Sequence, residues 1–182
     1  WFLSKSLKFK IIFGIVVLLS VSFFIHIQFM KRKGNILDNI QFSASYSDKN
    51  DQLLQIFLTE DDKYRIFRPL EQYPPEFIEA LLMQEDKFFY THAGVNFVAL
   101  VKAGWETYIK KSRRIGASTI TMQVAKLKYN LYTKNIPGKI NQIIKAFYLE
   151  LCFSKDEILE AYLNLAPVGG NVEGFETGAW YY

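Results

Sequence analysis

Three short stretches of this chain hold the residue types and spacings that could do chemistry. "QEDKFFYTHAG", residues 84–94, sets Glu85 and Asp86 side by side, with His92 and Gly94 a few residues on. "GASTITMQVAK", residues 116–126, puts Ser118 at a helix-start position and then Thr119, Gln123 and Lys126 three or four residues apart. "GKINQ", residues 138–142, adds Lys139. A carboxylate can take or give a proton. A helix start rich in hydroxyls, with a lysine nearby, can hold a phosphate.

Glu85 falls where helical periodicity asks for a core residue. Phe77, Leu81 and Glu85 recur every four positions beside Ile78 and Leu82, which predicts that Glu85 lies on the buried face of its helix. Asp86 is turned from it by about 100°. Two readings of Glu85 stay open on these residues alone. It could end the helix and pair with a base, or desolvation could tune it as a proton acceptor or donor. The Thr119, Gln123 and Lys126 stripe is likewise either a solvated face or an anion site.

Other chemistries lack their residues. Cys152 is the only cysteine, so the chain has no internal disulfide and no C-x-x-C metal site, and this thiol reads as a small core residue. The two histidines, His26 and His92, cannot make a His-rich metal centre. No phosphate loop of the G-x-x-x-x-G-K-[ST] type and no G-x-S-x-G elbow occurs, and "GGNVEG" at 169–174 reads as turns. Six of the 22 Lys and Arg fall in residues 1–33 with no acid among them, so the remainder, which carries all 18 acids, is slightly acidic. The net +4 belongs to the N-terminal flanks, and nucleic acid is not an expected partner.

The elements that must position these groups follow from pattern. "IIFGIVVLLSVSFFI", residues 11–25, carries no charge and extends through "HIQFM" to about the 20 residues that span a bilayer. With "KRK" at 31–33 as a flank, it reads as an uncleaved anchor, and the lysines on both sides leave its orientation open. Alternation predicts strands at 41–47, 52–58 and 63–67, forming a short antiparallel meander. Helices are expected at 75–90, 96–111, 118–131, 139–152 and 155–165, with a last piece from about 174. Ser154 and Glu157 form a capping box at the fifth. The organisation is a membrane anchor over 1–33, a β-rich linker or small sheet over 34–73, and a helical domain over 74–182. "WETYIKKSRRI", residues 105–115, mixes aromatics and bases in a way that suits a lipid headgroup layer.

Taken in order, these motifs resemble a family. "EDKFFYTHAG" is similar to the E-D-x-x-F-x-x-H-x-G motif of the peptidoglycan glycosyltransferases of class A penicillin-binding proteins. "GASTITMQVAK" resembles their G-[GA]-S-T-[IL]-T-x-Q-x-x-K motif, "SKDEILEAYLN" their K-x-x-I-L-E-x-Y-L-N motif, and "GAWYY" the start of their last one. "TMQ", "GKINQ" and "APVGGNVEG" resemble the 1C subgroup in particular.

The resemblance implies a mainly α, lysozyme-like glycosyltransferase domain with a small antiparallel β element and an N-terminal transmembrane helix. That domain would face the outside of the bacterial cytoplasmic membrane. The implied reaction is the inverting polymerisation of lipid II into β-1,4-linked glycan, with release of undecaprenyl pyrophosphate. Glu85 would be the general base. Asp86, Phe89, His92 and Gly94 would shape the cleft, and Ser118, Thr119, Gln123, Lys126, Lys139 and Gln142 would line the donor pyrophosphate region. Partners would be lipid II, the growing glycan, membrane lipid, and transpeptidase and other cell-wall synthesis proteins.

The chain contains no S-x-x-K or K-T-G, so a transpeptidase domain would lie beyond residue 182. Where most of the family reads R-K-x-x-E, this chain has Gly138 and Gln142. A neutral amide at 142 is a weak ligand for the divalent Mg or Mn ion the family's Glu would favour, so no cofactor is called for. A membrane-anchored scaffold that binds lipid II or glycan without turnover is the alternative, and a glycan hydrolase on the same fold is a third reading.

Overall fold

The computed structural model describes residues 9–10, 12–22, 25, 34–50, 52–97, 99 and 118–182. The chain divides into two compact units, Trp1–Asn35 and Ile36–Tyr182. In the first, residues 12–22 are helical and exposed throughout. Among the described residues no helix is long and apolar enough to cross a membrane. The rest of the expected anchor, most of the expected 96–111 helix and the 105–115 stretch lie outside the described residues.

The second unit is mainly helical, with two small antiparallel sheets. Strands β1 (Ser45–Ser47) and β2 (Leu53–Ile56) pair with Tyr46 opposite Gln55. Among the described residues the helices α1 (Pro75–Glu85), α2 (Ile120–Lys128), α3 (Ile136–Cys152), α4 (Lys155–Leu165) and α5 (Phe175–Tyr181) follow. Strands β3 (Pro167–Gly169) and β4 (Val172–Glu173) form a hairpin between α4 and α5.

Of the expected antiparallel meander of two or three strands, two pair, as β1 and β2, and the 63–67 segment adds no third strand to them. The 63–67 segment makes a parallel bridge from Tyr64 to Val172 of β4 instead. Arg65 explains this, because its buried guanidinium donates to Glu173 at 2.7 Å and to both oxygens of Asp61. Those bonds hold the Asp61 carboxyl down to about 2, and they tie the segment to the C-terminal hairpin.

Helix α2 is the centre of the core. Ile120, Met122, Val124 and Ala125 have no exposed surface, and α3 and α4 pack against them through Ala146, Leu149, Ile158, Leu159 and Leu163. So short a helix is stabilised by this burial, not by its own propensity. Helix α4 starts at the capping box read from sequence, with Ser154 and Glu157 satisfying each other's backbone amides. From it Glu160 accepts from Leu70 N at 2.9 Å, and Asn164 bonds both the N–H and the C=O of Arg68. Those bonds fix the chain that enters α1.

Several boundaries differ from expectation: the strands are shorter than 41–47 and 52–58, and α2 ends at Lys128, not at 131. Helix α1 ends at Glu85, not at residue 90, because Asp86 leaves helical geometry (φ −160°, ψ 75°) and turns its carboxylate toward α2. Helix α2 is capped by Thr119, not Ser118: the Thr119 side chain accepts from Met122 N. Helix α3 begins three residues before the expected 139, since Asn135 caps it and Pro137 sits in its first turn.

Candidate active site

Glu85 is the last residue of α1 and is exposed. The buried acid of the pair is Asp86, which is 8% exposed. The expectation of a buried Glu85 fails because the helix ends there, and its last turn emerges from the core. What holds Glu85 is an amide: Gln123 Nε2 of α2 donates to its Oε2 at 3.0 Å.

Asp86 does positional work. Its Oδ2 accepts from Ile120 N, the first amide of α2, at 3.1 Å, and both of its oxygens lie 3.0 Å from His92 Nε2. A carboxylate at a helix start satisfies an orphan amide and complements the helix dipole. His92 thus braces Asp86, its Nδ1 has no partner among the described residues, and its side chain is 11% exposed. Phe89 is 1% exposed and lies under the Lys155 ammonium, 4.5 Å from its ring centroid, so it fills core rather than cleft.

Gly94 closes the same clamp. Its φ of +83° and the 2.8 Å gap between a built Cβ and Glu150 Cγ leave room for glycine. Its carbonyl accepts from Thr119 Oγ1 at 2.6 Å. Thr119 therefore caps α2 and pins the loop ahead of it.

Beyond Glu85 a cavity of about 140 Å³ opens, walled by Glu85, Asp86, Phe88, Asn96, Ser118 and Thr119. Lys139 Nζ of α3 donates to Ser118 Oγ at 2.7 Å on that wall. Burial lowers the Lys139 ammonium from its ordinary value, and the positive charge of Lys126 lowers it further. Two ammonium groups close enough to repel, one of them desolvated, make a place that an anion would relieve.

Gln142 stands apart from the other expected donor residues. It is 2% exposed, its Nε2 donates to the Met122 carbonyl at 2.6 Å, and its Oε1 has no partner among the described residues. It joins α3 to α2 inside the core, whereas a donor-site residue would face the cavity. Gly138 is equally constrained, since a Cβ there would lie 1.9 Å from the Tyr132 carbonyl oxygen.

Sequence reasoning passed over two sets of residues. Glu150 Oε1 accepts from Thr121 Oγ1 at 2.6 Å and from Lys155 Nζ at 2.7 Å, and Lys155 also donates to the His92 carbonyl. This buried network props up the 86–94 loop. The other is Tyr162 of α4, which is 4% exposed. Burial first, and then the Glu85 charge, push that phenol above the ordinary tyrosine range. In sequence, Tyr162 reads only as a core aromatic at helical spacing.

A model of the Transglycosylase family matches residues 50–182. Penicillin-binding protein 1C of Escherichia coli (strain K12) is 39% identical over 126 residues, 69% of this chain and 16% of that protein. Penicillin-binding protein 1B of Buchnera aphidicola subsp. Baizongia pistaciae (strain Bp) is 34% identical over 155 residues, 81% of this chain and 20% of the relative. Penicillin-binding protein 4 of Bacillus subtilis (strain 168) is 32% identical over 138 residues, 76% of this chain and 22% of that protein. The chain thus spans less than a quarter of the length of these curated relatives.

Proposed function

This chain belongs to the Transglycosylase family, and from that premise we propose that it is a peptidoglycan glycosyltransferase that polymerises lipid II. The observation that carries the reading is the pairing of chemistries across one small cavity. Glu85 and Ser118, the latter bonded to Lys139, line the same cavity.

In the proposed step Glu85 removes the proton from an acceptor-sugar hydroxyl as that oxygen bonds to the donor's anomeric carbon. The bond from that carbon to pyrophosphate breaks, and the pyrophosphate leaves with the electron pair. Attack opposite the leaving group inverts an α-linked donor to a β-linked product. Lys139 and Lys126 stabilise the departing negative charge. Asp86, His92, Gly94 and Thr119 act one step back, by holding α2 and its Gln123 against the base.

No step is routed through a divalent ion. Gln142 offers one neutral oxygen in the core, and no group of three or more His, Cys, Asp or Glu residues that could hold a metal occurs among the described residues. That donor set does not fit Mg or Mn at this position.

The mainly helical unit supports a lysozyme-like fold. The apolar N-terminal run and the exposed Ile136, Ile140 and Ile144 of α3 support seating at the outer face of the bacterial cytoplasmic membrane. Lipid II, the growing glycan and membrane lipid are then the partners, beside transpeptidase and other cell-wall synthesis proteins.

The test is polymerisation of labelled lipid II in detergent, with and without Mg²⁺, beside Glu85→Gln. Wild-type polymer should form in both conditions, and the variant should lose about 10² to 10⁴ in rate. Lipid II binding without polymer from wild type would replace this reading with a non-catalytic scaffold.

A further inference from the structure

We propose that a groove along α1 holds the growing glycan strand beside the Glu85 cavity. The inference rests on the glycosyltransferase reading and gives the strand a second place on the protein.

The groove follows from the sequence of α1. Leu81 turns one stripe of the helix into the core, but Pro75, Ile78, Glu79, Leu82 and Met83, spaced three and four apart, form another stripe beside it. Ile78 and Leu82 are only half-buried, and Met83 is 63% exposed. From Pro75 to Met83 this stripe runs about 12 Å, more than the width of one sugar ring. It leads to the C-terminal end of the helix, where Glu85 stands. The 3₁₀ turn Leu70–Gln72 and Leu159 of α4 complete a groove of about 650 Å³ around it. Lys87 lines both this groove and the Glu85 cavity, so the two adjoin.

The lining selects the occupant. Leu70, Ile78, Leu82 and Leu159 offer apolar surface, and Tyr90 adds a ring that is 53% exposed. The Tyr90 hydroxyl donates to Asp156 Oδ1 at 3.0 Å, which limits where that ring can turn. Glu71, Glu79 and Lys87 set two carboxylates and an ammonium on the same groove. A glycan strand has both chemistries: its rings present C–H faces to apolar and aromatic side chains, and its hydroxyl and amide edges bond carboxylates and amines. An acyl chain would bury the two carboxylates with no hydrogen-bond partner. The core of a protein interface is depleted of such acids. A strand held here stays close to the site between additions, so the groove acts on chain length more than on the rate of each addition.

The test uses the full chain in detergent, labelled with ¹³C-methyl methionine, and a soluble uncrosslinked glycan oligosaccharide as the probe. Met83 is exposed and Met122 is fully buried, so added oligosaccharide should shift the Met83 methyl signal and leave that of Met122 in place. Glu79→Ala combined with Met83→Asp alters two exposed side chains, and its melting temperature should stay within about 2 °C of wild type. Its affinity for the fluorescently labelled oligosaccharide should fall about tenfold, through one lost apolar contact and one lost hydrogen bond. In lipid II polymerisation its mean glycan length should fall by a larger factor than its rate of lipid II consumption. A wild type that makes no polymer but shows the Met83 shift would end the glycosyltransferase reading and keep the groove as a glycan site. A Met83 signal that millimolar oligosaccharide does not move overturns the proposal, as does equal affinity of variant and wild type, and either result leaves the groove to a protein partner.

Discussion

At the scale of single residues, the two adjacent acids divide the work that sequence pattern assigns to one. Periodicity puts Glu85 in the core, yet the core acid is Asp86, and the reason is local: α1 ends between them. No propensity rule marks that end, because the turn is dictated by a partner 34 residues away, the Ile120 amide. Asp86→Asn tests the assignment. The amide would keep one acceptor but turn an NH₂ toward either the Ile120 N–H or His92 Nε2–H, leaving a buried donor unpaired. A loss of about 1–3 kcal/mol should follow. For a unit of this size that is a fall in melting temperature of roughly 2–4 °C per kcal/mol, measurable by calorimetry. Polymerisation should weaken as well, because α2 carries Gln123. A melting temperature equal to wild type would mean that the clamp does not stabilise α2.

At the scale of elements, what was legible in the sequence was whatever has a local signature. The capping box placed α4 to the residue, and the double proline placed the start of α1. The Asn135 cap and Pro137 carry an equally local signal for α3, three residues ahead of the start expected from hydrophobic pattern. Contacts between elements were not legible: the Thr121–Glu150–Lys155 network and the burial of Gln142 each depend on which helices meet. Gly138 shows how far geometry can oppose propensity. In a helix interior Gly→Ala ordinarily gains about 1 kcal/mol. Here the new Cβ would meet the Tyr132 carbonyl oxygen at 1.9 Å, and that oxygen is backbone, not a side chain that can swing away. Gly138→Ala should therefore destabilise by about 1–3 kcal/mol in chemical denaturation. A gain in stability would show that the 129–135 loop is free to move off α3. The same contact gives a physical reason why this chain does not carry the family's arginine at 138.

At the scale of the whole molecule, α3 poses a question that its own packing does not answer. A surface helix normally turns polar residues to water. The exposed positions of α3 are instead Ile136 at 72%, Ile140 at 52%, Ile144 at 58%, Tyr148 at 39% and Leu151 at 38%, with only Pro137 and Asn141 beside them. Its one acid, Glu150, is committed to Thr121 and Lys155. Its Lys145 lies 4.8 Å from the Tyr129 ring centroid and 5.8 Å from that of Tyr148. An apolar ridge with a lysine, aromatic rings and no free acid matches the interface of an anionic bilayer. Such a seat would bring the Glu85 cavity close to a substrate whose lipid tail stays in the membrane. Replacing Ile140 and Ile144 together by Asp should leave the melting temperature nearly unchanged, because both are already exposed. Partitioning of residues 34–182 onto anionic vesicles should fall at least about tenfold, as two exposed isoleucines are lost from the lipid contact. Equal co-sedimentation of variant and wild type would remove the ridge from the membrane face and leave the N-terminal run as the remaining sequence feature for attachment.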